Sequence, residues 1–287
     1  MEGYVLSGRH GIFASYEGFV PIVDSMVAQY AKWLKMARET PWRKPLSGLN
    51  FLLTSHVWRQ EHNGYSHQGP GFVNTVLNKK PEGVRVYFPP DANTLLCVME
   101  HVLGSTDRVN VVVAPKQDAP QWRTLDQARA ELGAGASRWA WAADDADPHV
   151  VLACAGDAMV LETLAAVSLL RTHAPTLRLR VVNVLNLFAL ASPEMHPSGS
   201  DESRFIELFA DDRPVVFAYH GYPRTVHELI YRRPSPGRFH VHGYVEEGTT
   251  TTPFDMVVLN RASRYHLALD AFRRAEETDG YLSLIHI

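Results

Sequence analysis

The feature that most constrains this chain is a recurring alternation of short apolar runs with longer helical patterns. Leu49–Thr54, Val84–Phe88, Val109–Ala114, Val150–Ala155, Arg178–Val184 and Pro214–Tyr219 are five to seven residues long and rich in β-branched side chains, which suits buried strands. Between them, Ile22–Met36 places Ile22, Val23, Met26, Val27, Tyr30, Trp33 and Leu34 at spacings of three and four, the signature of an amphipathic helix. Asp91 stands where a cap belongs for a helix running from Ala92 to about Leu103, and Ala158–Arg171 reads as another helix. Strands that alternate with helices pair in parallel through crossovers, so the expected class is α/β, with mainly parallel sheets flanked by helices. Ligands of such sheets gather at the carboxyl ends of the strands. At 287 residues the chain is long enough for two units. The stretch from Pro115 to Asp147, carrying Pro, Gly, Ala and the acidic group Asp144, Asp145 and Asp147, reads as the linker between them.

Composition excludes several function classes. A formal net charge of −3 and a pI near 6.5 give no cationic field for phosphate backbones, so nucleic acid is not an expected partner. Cys97 and Cys154 lie in apolar runs and read as reduced, buried side chains rather than as a disulfide framework. No stretch reaches the ~20 apolar residues that span a bilayer; Val181–Ala191 is short, interrupted by Asn183 and Asn186, and reads as a buried strand. The opening Met1-Glu2-Gly3-Tyr4 lacks the basic and apolar regions of a secretory signal. A cytoplasmic protein without membrane association is expected.

The densest polar cluster is His56 to Gln68, with His56, His62 and His67 on a segment predicted to leave a strand end. Imidazoles grouped there suit proton transfer near neutral pH. Two readings compete. Metal coordination would want converging ligands, and these histidines lack the i, i+4 pair of a metallohydrolase helix; alternatively the cluster satisfies only the loop's own backbone. Gly8-Arg9-His10-Gly11 reads as a turn entering a helix on which Phe13, Tyr16 and Phe19, three apart, share one face. That stripe is either core packing or a flat surface for a planar ring. Neither a Walker run nor a dinucleotide fingerprint is present.

Several strings carry a resemblance that composition does not. Gly8-Arg9-His10-Gly11, Leu52 to Gln60, His62-Asn63-Gly64, Ser66-His67-Gln68, Asn78-Lys79-Lys80, Tyr219 to Pro223, Glu246-Glu247-Gly248 and Pro253-Phe254-Asp255 are similar, in this order, to the xylulose-5-phosphate/fructose-6-phosphate phosphoketolases. The resemblance implies a transketolase-like pyrimidine-binding domain, truncated, over residues 1–122, and a truncated C-terminal domain over residues 123–281. It implies thiamine diphosphate and Mg2+ as cofactors, with the metal and diphosphate held by an N-terminal domain outside this chain. Ketose phosphate and inorganic phosphate are the implied substrates, and a homodimer or higher homo-oligomer the implied assembly. Carried over by motif, Tyr16 and Phe19 flank the aminopyrimidine ring. Gln60, His62, Asn63 and His67 surround the reactive carbon and the sugar hydroxyls, and His56 and Lys116 lie near a phosphate.

The resemblance implies a lyase that yields acetyl phosphate, while the chain by itself is expected to be inactive, because the activating glutamate of the family lies upstream of Met1. Residues 282–287 depart from the family pattern and resemble translated library-adaptor sequence. Two other readings stay open: a self-contained hydrolase using the histidine loop, and a non-catalytic assembly module. Truncation would also leave apolar faces exposed, so poor solubility is expected.

Overall fold

The computed structural model describes residues 1–59, 69–248 and 251–279. Strands β1 (Ile12–Tyr16), β2 (Leu49–Ser55), β3 (Val84–Tyr87) and β4 (Val109–Val113) form a wholly parallel sheet in the order β1-β2-β4-β3. Strands β5 (Ala136–Arg138), β6 (Val150–Ala155), β7 (Leu179–Val184), β8 (Val215–Tyr219) and β9 (Phe239–His242) form a second sheet in the order β5-β7-β6-β8-β9, in which only β5 runs antiparallel. Helices α1 (Glu2–Leu6), α2 (Asp24–Arg38), α3 (Gly71–Leu77) and α4 (Ala92–Gly104) belong to the first half of the chain. Helices α5 (Leu125–Ala134), α6 (Asp157–His173), α7 (Glu202–Phe209), α8 (Pro223–Ile230), α9 (Pro253–Leu259) and α10 (Arg264–Asp279) belong to the second.

Strands β3, β4, β6, β7 and β8 are buried along their whole length. Cover on both faces is what lets a parallel strand read as a continuous apolar run. One apolar cluster joins the two sheets: Leu53, Phe72 and Phe88 from the first half pack with Phe217, Tyr219 and Val226 from the second. The Phe88 and Tyr219 rings lie 5.8 Å apart, and Phe88 N donates to Leu185 O at 2.8 Å across the junction. A second cluster, around Leu152, Met159, Val167, Leu267 and Ala271, takes in Val57 and Trp58 from the first half. Asp91 caps α4 as expected, accepting from Thr94 N at 2.8 Å. Among the described residues both cysteines are buried and unpaired in disulfides, and no helix is long and apolar enough to cross a membrane.

Three expectations are corrected. Residues Phe13 and Tyr16 lie on a strand, not a helix: β1 pairs in parallel with β2, and Phe19 follows in a turn before a 3-10 helix over Val20–Val23. On a strand, residues three apart point to opposite faces; Phe13 meets Phe51 at 5.6 Å, whereas Tyr16 meets Phe19 at 5.4 Å. Backbone pairing to an existing strand outweighed a three-residue spacing too short to define a period. The stretch Pro115–Asp147 is not a bare linker either. It holds α5, with a reciprocal capping box between Thr124 and Gln127, and the strand β5. Its acidic group is a salt-bridge cluster, Asp144 with Arg138 and Asp147 with Arg178 and Arg213. Finally, Val181–Ala191 is strand only to Val184; Asn186 then caps a 3-10 turn over Leu187–Leu190. On α2, Val27, Tyr30 and Leu34 are buried as the helical spacing predicts, but Met26 stands 58% exposed, and Ile22, in the preceding 3-10 helix, 84%.

Candidate functional site at the strand ends

The carboxyl ends of β1, β2, β6 and β8 converge, and each delivers a polar residue just past its apolar run. Glu17 follows β1, His56 follows β2, Gly156-Asp157 follow β6, and His220 follows β8. All four polar side chains are buried. His220 Nε2 lies 2.9 and 3.0 Å from the two Glu17 carboxylate oxygens, and Val57 N donates to Glu17 Oε2 at 2.9 Å. His56 Nε2 lies 2.8 Å from Asp157 Oδ1 but off the line of a good hydrogen bond, so that contact is chiefly electrostatic. Asp157 Oδ2 also accepts from Arg59 Nε and Nη2, at 3.3 and 3.1 Å. The two imidazoles stand edge to face with centroids 5.0 Å apart.

Local backbone explains the close approach. Gly156 has φ +105, and a Cβ there would sit 2.9 Å from His220 Cβ, so only glycine fits. Trp58 Nε1 donates to His220 O at 2.8 Å, and His220 N to Ala155 O at 3.0 Å. Burial alone would raise both carboxyls. For Glu17 the charge and hydrogen bond of His220, with His56 and Val57 N–H, overcome that and leave the group lowered. For Asp157, His56 and Arg59 do the same and hold it far below the carboxylate range. Both are therefore anions at neutral pH. Removing one partner of such a buried pair typically costs ~3–5 kcal/mol, which makes the network a clamp on the root of the His56–Gln68 segment.

Outside the clamp, Tyr16 and Phe19 are 38% and 45% exposed. Their rings are tilted by 40°. Lys116, just beyond β4, sets Nζ 3.3 Å from Tyr16 Oη and 4.8 Å from the ring centroid. A hydrogen bond from Lys116, then its charge, then Ser55 lower the Tyr16 hydroxyl from its ordinary value. So Tyr16, Phe19 and Lys116 come together, and His56 lies beneath them in the buried network. Gln60, His62, Asn63 and His67 fall outside the described residues. Among the described residues no group of three or more His, Cys, Asp or Glu is arranged to hold a metal ion.

Sequence reasoning gave no role to Glu17, Arg59, Asp157 or His220. A usable signal was present for three of the clamp's acids and imidazoles: His56, Asp157 and His220 stand one or two residues past the end of a largely buried apolar run, where an α/β sheet presents its side chains, whereas Glu17 follows the mostly exposed β1.

Residues 1–105 match the D-xylulose 5-phosphate/D-fructose 6-phosphate phosphoketolase family, and residues 116–284 match its XFP C-terminal domain. The chain is 58% identical over 276 residues to a probable phosphoketolase of Brucella suis biovar 1 (strain 1330), covering 96% of this chain and 35% of that one. It is 58% identical over 269 residues to probable phosphoketolase 2 of Rhizobium meliloti (strain 1021), covering 93% and 34%. It thus spans about a third of the length of these relatives. Among solved structures, transketolase from Leishmania mexicana superposes with a TM-score of 0.67 at 14% identity, over 93% of this chain and 34% of that one. A Pichia stipitis transketolase in complex with sedoheptulose 7-phosphate gives 0.69 at 14%, over 94% and 34%. A split gene transketolase, described as an inactive β4 tetramer, gives 0.62 at 15%, over 95% and 78%. These structural likenesses show the transketolase-type α/β fold, and the family models, which match residues 1–105 and 116–284, show that the chain belongs to the phosphoketolase family.

Proposed function

We propose that the longer protein to which this sequence corresponds cleaves xylulose 5-phosphate, fructose 6-phosphate or both with inorganic phosphate, giving acetyl phosphate and a shortened aldose phosphate. Thiamine diphosphate and Mg2+ are the cofactors of this reading, and a homodimer or higher homo-oligomer in the cytoplasm is its setting. The observation that carries it is the exposed Tyr16–Phe19 pair, braced by Lys116, on the same row of strand ends as the clamped root of the histidine segment. Two exposed aromatic rings offer a face to a planar pyrimidine. Among the described residues at the strand-end site, the groups that face solvent are these two rings and Lys116. They therefore fit the ring end of the cofactor, and we assign the diphosphate and metal to the part of the longer relatives that this chain does not span. The division between a pyrimidine-binding domain over 1–122 and a C-terminal domain over 123–281, with 282–287 outside both, belongs to the same proposal.

When bound, the cofactor supplies a sink for the electron pair released on carbon–carbon cleavage. The chain's own residues do the rest. His62 and His67 move protons to and from the substrate hydroxyls, worth typically ~10²- to 10⁴-fold in rate, while Gln60 and Asn63 hold oxygens. Lys116 fixes Tyr16 and faces incoming phosphate. His56, sealed against Asp157, acts as a positioning residue at the root of the histidine segment.

Two measurements test this reading. The 287-residue chain supplied with fructose 6-phosphate, phosphate, thiamine diphosphate and Mg2+ is expected to form no acetyl phosphate, and turnover would show that this polypeptide suffices. In the full-length protein, Tyr16→Ala is expected to weaken thiamine diphosphate binding, followed by tryptophan fluorescence, about fivefold, from the loss of an aromatic contact of ~1 kcal/mol. Unchanged cofactor affinity in that variant removes Tyr16 from the site.

A further inference from the structure

A cavity of about 660 Å³ opens between β3, α4 and α5, and it is basic. It is lined by Arg85, Tyr87, His101, Arg108 and Arg129, with Glu100 the one carboxylate among its walls. Its place in the fold differs from that of the strand-end site: Arg85 lies at the amino-terminal half of the edge strand β3, and Arg108 immediately precedes β4. The volume falls in the ~300–1,000 Å³ range of small-molecule sites.

Arg85 is the telling residue. It is 92% buried, being 8% exposed. One nitrogen, Nη1, donates to Val84 O at 2.6 Å and to Pro81 O at 3.2 Å, and approaches His196 Nε2 at 3.2 Å. Its Nε and Nη2 make no hydrogen bond to the described residues and are not sealed by packing, and Arg85 is one of the residues that line the hollow. No carboxylate of the described residues lies within ion-pair distance of Arg85 or Arg108; Arg108 instead donates to Glu82 O. Burial first, then Arg108, with Arg38 adding to it against Tyr87, push Arg85 down to about 10. A guanidinium taken out of water without a counter-charge is costly, by several kcal/mol per ion. Buried Arg85 and half-buried Arg108 beside a polar hollow, with exposed Arg129 at its rim in a surface ion pair with Asp126 at 3.6 Å, suit the bidentate mode by which arginine grips phosphate oxygens.

We propose that this cavity binds a phosphate-bearing small anion, the unpaired Nε and Nη2 of Arg85 together with Arg108 gripping its oxygens and Arg129 closing the rim. The proposal stands independently of the cofactor reading above. The probe is inorganic pyrophosphate, titrated into the purified chain by calorimetry at low ionic strength, with orthophosphate, a sugar monophosphate and a nucleoside triphosphate as arms that rank by phosphate number. Saturable binding at one site is expected. Arg108→Gln should weaken it at least about tenfold, the loss of a charge-assisted hydrogen bond, and Arg129→Gln about threefold. Lys35→Gln, on α2 and outside the residues that line the cavity, should leave it unchanged. Arg129 is exposed, so its variant keeps the test open if replacing Arg108 impairs folding, which a melting curve reveals. The proposal fails if pyrophosphate does not bind, if both arginine variants bind as the parent does, if Lys35→Gln weakens binding equally, or if citrate competes on equal terms, which would mark a seat for a carboxylate-bearing polypeptide.

Discussion

Gly156 and His220 come closer than any side chain at position 156 would permit, and the clamp depends on that approach. Gly156→Ala adds a Cβ 2.9 Å from His220 at φ +105, so we expect a loss of about 1–3 kcal/mol. In urea it should lower the midpoint without changing the slope. Acid sensitivity follows from the same buried groups. Glu17 and Asp157 titrate lower folded than unfolded. Below the unfolded carboxylate range the unfolded chain therefore binds more protons, and stability falls as pH drops through about 4.5. His196 adds a window at milder pH. Burial first, then Arg85, lower it to about 4 from 6.5. Between those values the unfolded state is the better proton acceptor, so stability declines as pH falls from 6.5 to 4, by roughly 1–3 kcal/mol in all. His196→Gln should flatten that interval while leaving the loss below pH 4.5 in place, as read from unfolding midpoints across pH. Sequence spacing could single out imidazoles near a strand end, but it held no sign that His56 would be sealed against Asp157, 101 positions away in the chain. That pairing is a product of how the two sheets meet.

Helices and strands were legible in proportion to their length and to how strongly their burial patterned them. β4, β6 and β8 were readable because cover on both faces demands unbroken apolar runs. β1 was not: it is five residues long and mostly exposed at the sheet edge, so burial imposed no alternation on Phe13 and Tyr16. Helix α5 was hidden by flanking glycines and alanines, although its start signal, Thr124 with Gln127 three residues on, is legible once sought. Its stability is testable: Thr124→Ala removes the acceptor for Gln127 N and is expected to cost about 1 kcal/mol. Because α5 carries Glu131, which binds Arg123, Trp139 and Asn183, fraying should also appear as faster amide exchange at Trp139. Unchanged exchange would mean that these contacts, not the cap, hold the helix start.

At the scale of the molecule, an apolar surface runs along the edge beside β1. Phe19, Ile22 and Met26 are 45%, 84% and 58% exposed, a concentration of apolar side chains of the kind that marks interaction surfaces. We expect the chain to self-associate as its concentration rises through ~1–50 μM, the range of weak interfaces, and Ile22→Glu with Met26→Lys to shift it toward monomer in sedimentation velocity. A monomeric parent over that range would contradict this. The segment between the two sheets has a different bearing. Asp91, besides capping α4, accepts from Trp122 N and Arg123 N at 2.9 and 2.7 Å, and Asn93 donates to Arg123 O at 2.7 Å. The crossing strand of polypeptide is thus stitched to the half it leaves, while Phe88 and Tyr219 pack across the boundary. Covalent continuity there is expected to be dispensable: a single tryptic nick after Lys116 should yield two pieces that co-elute, parting only in denaturant.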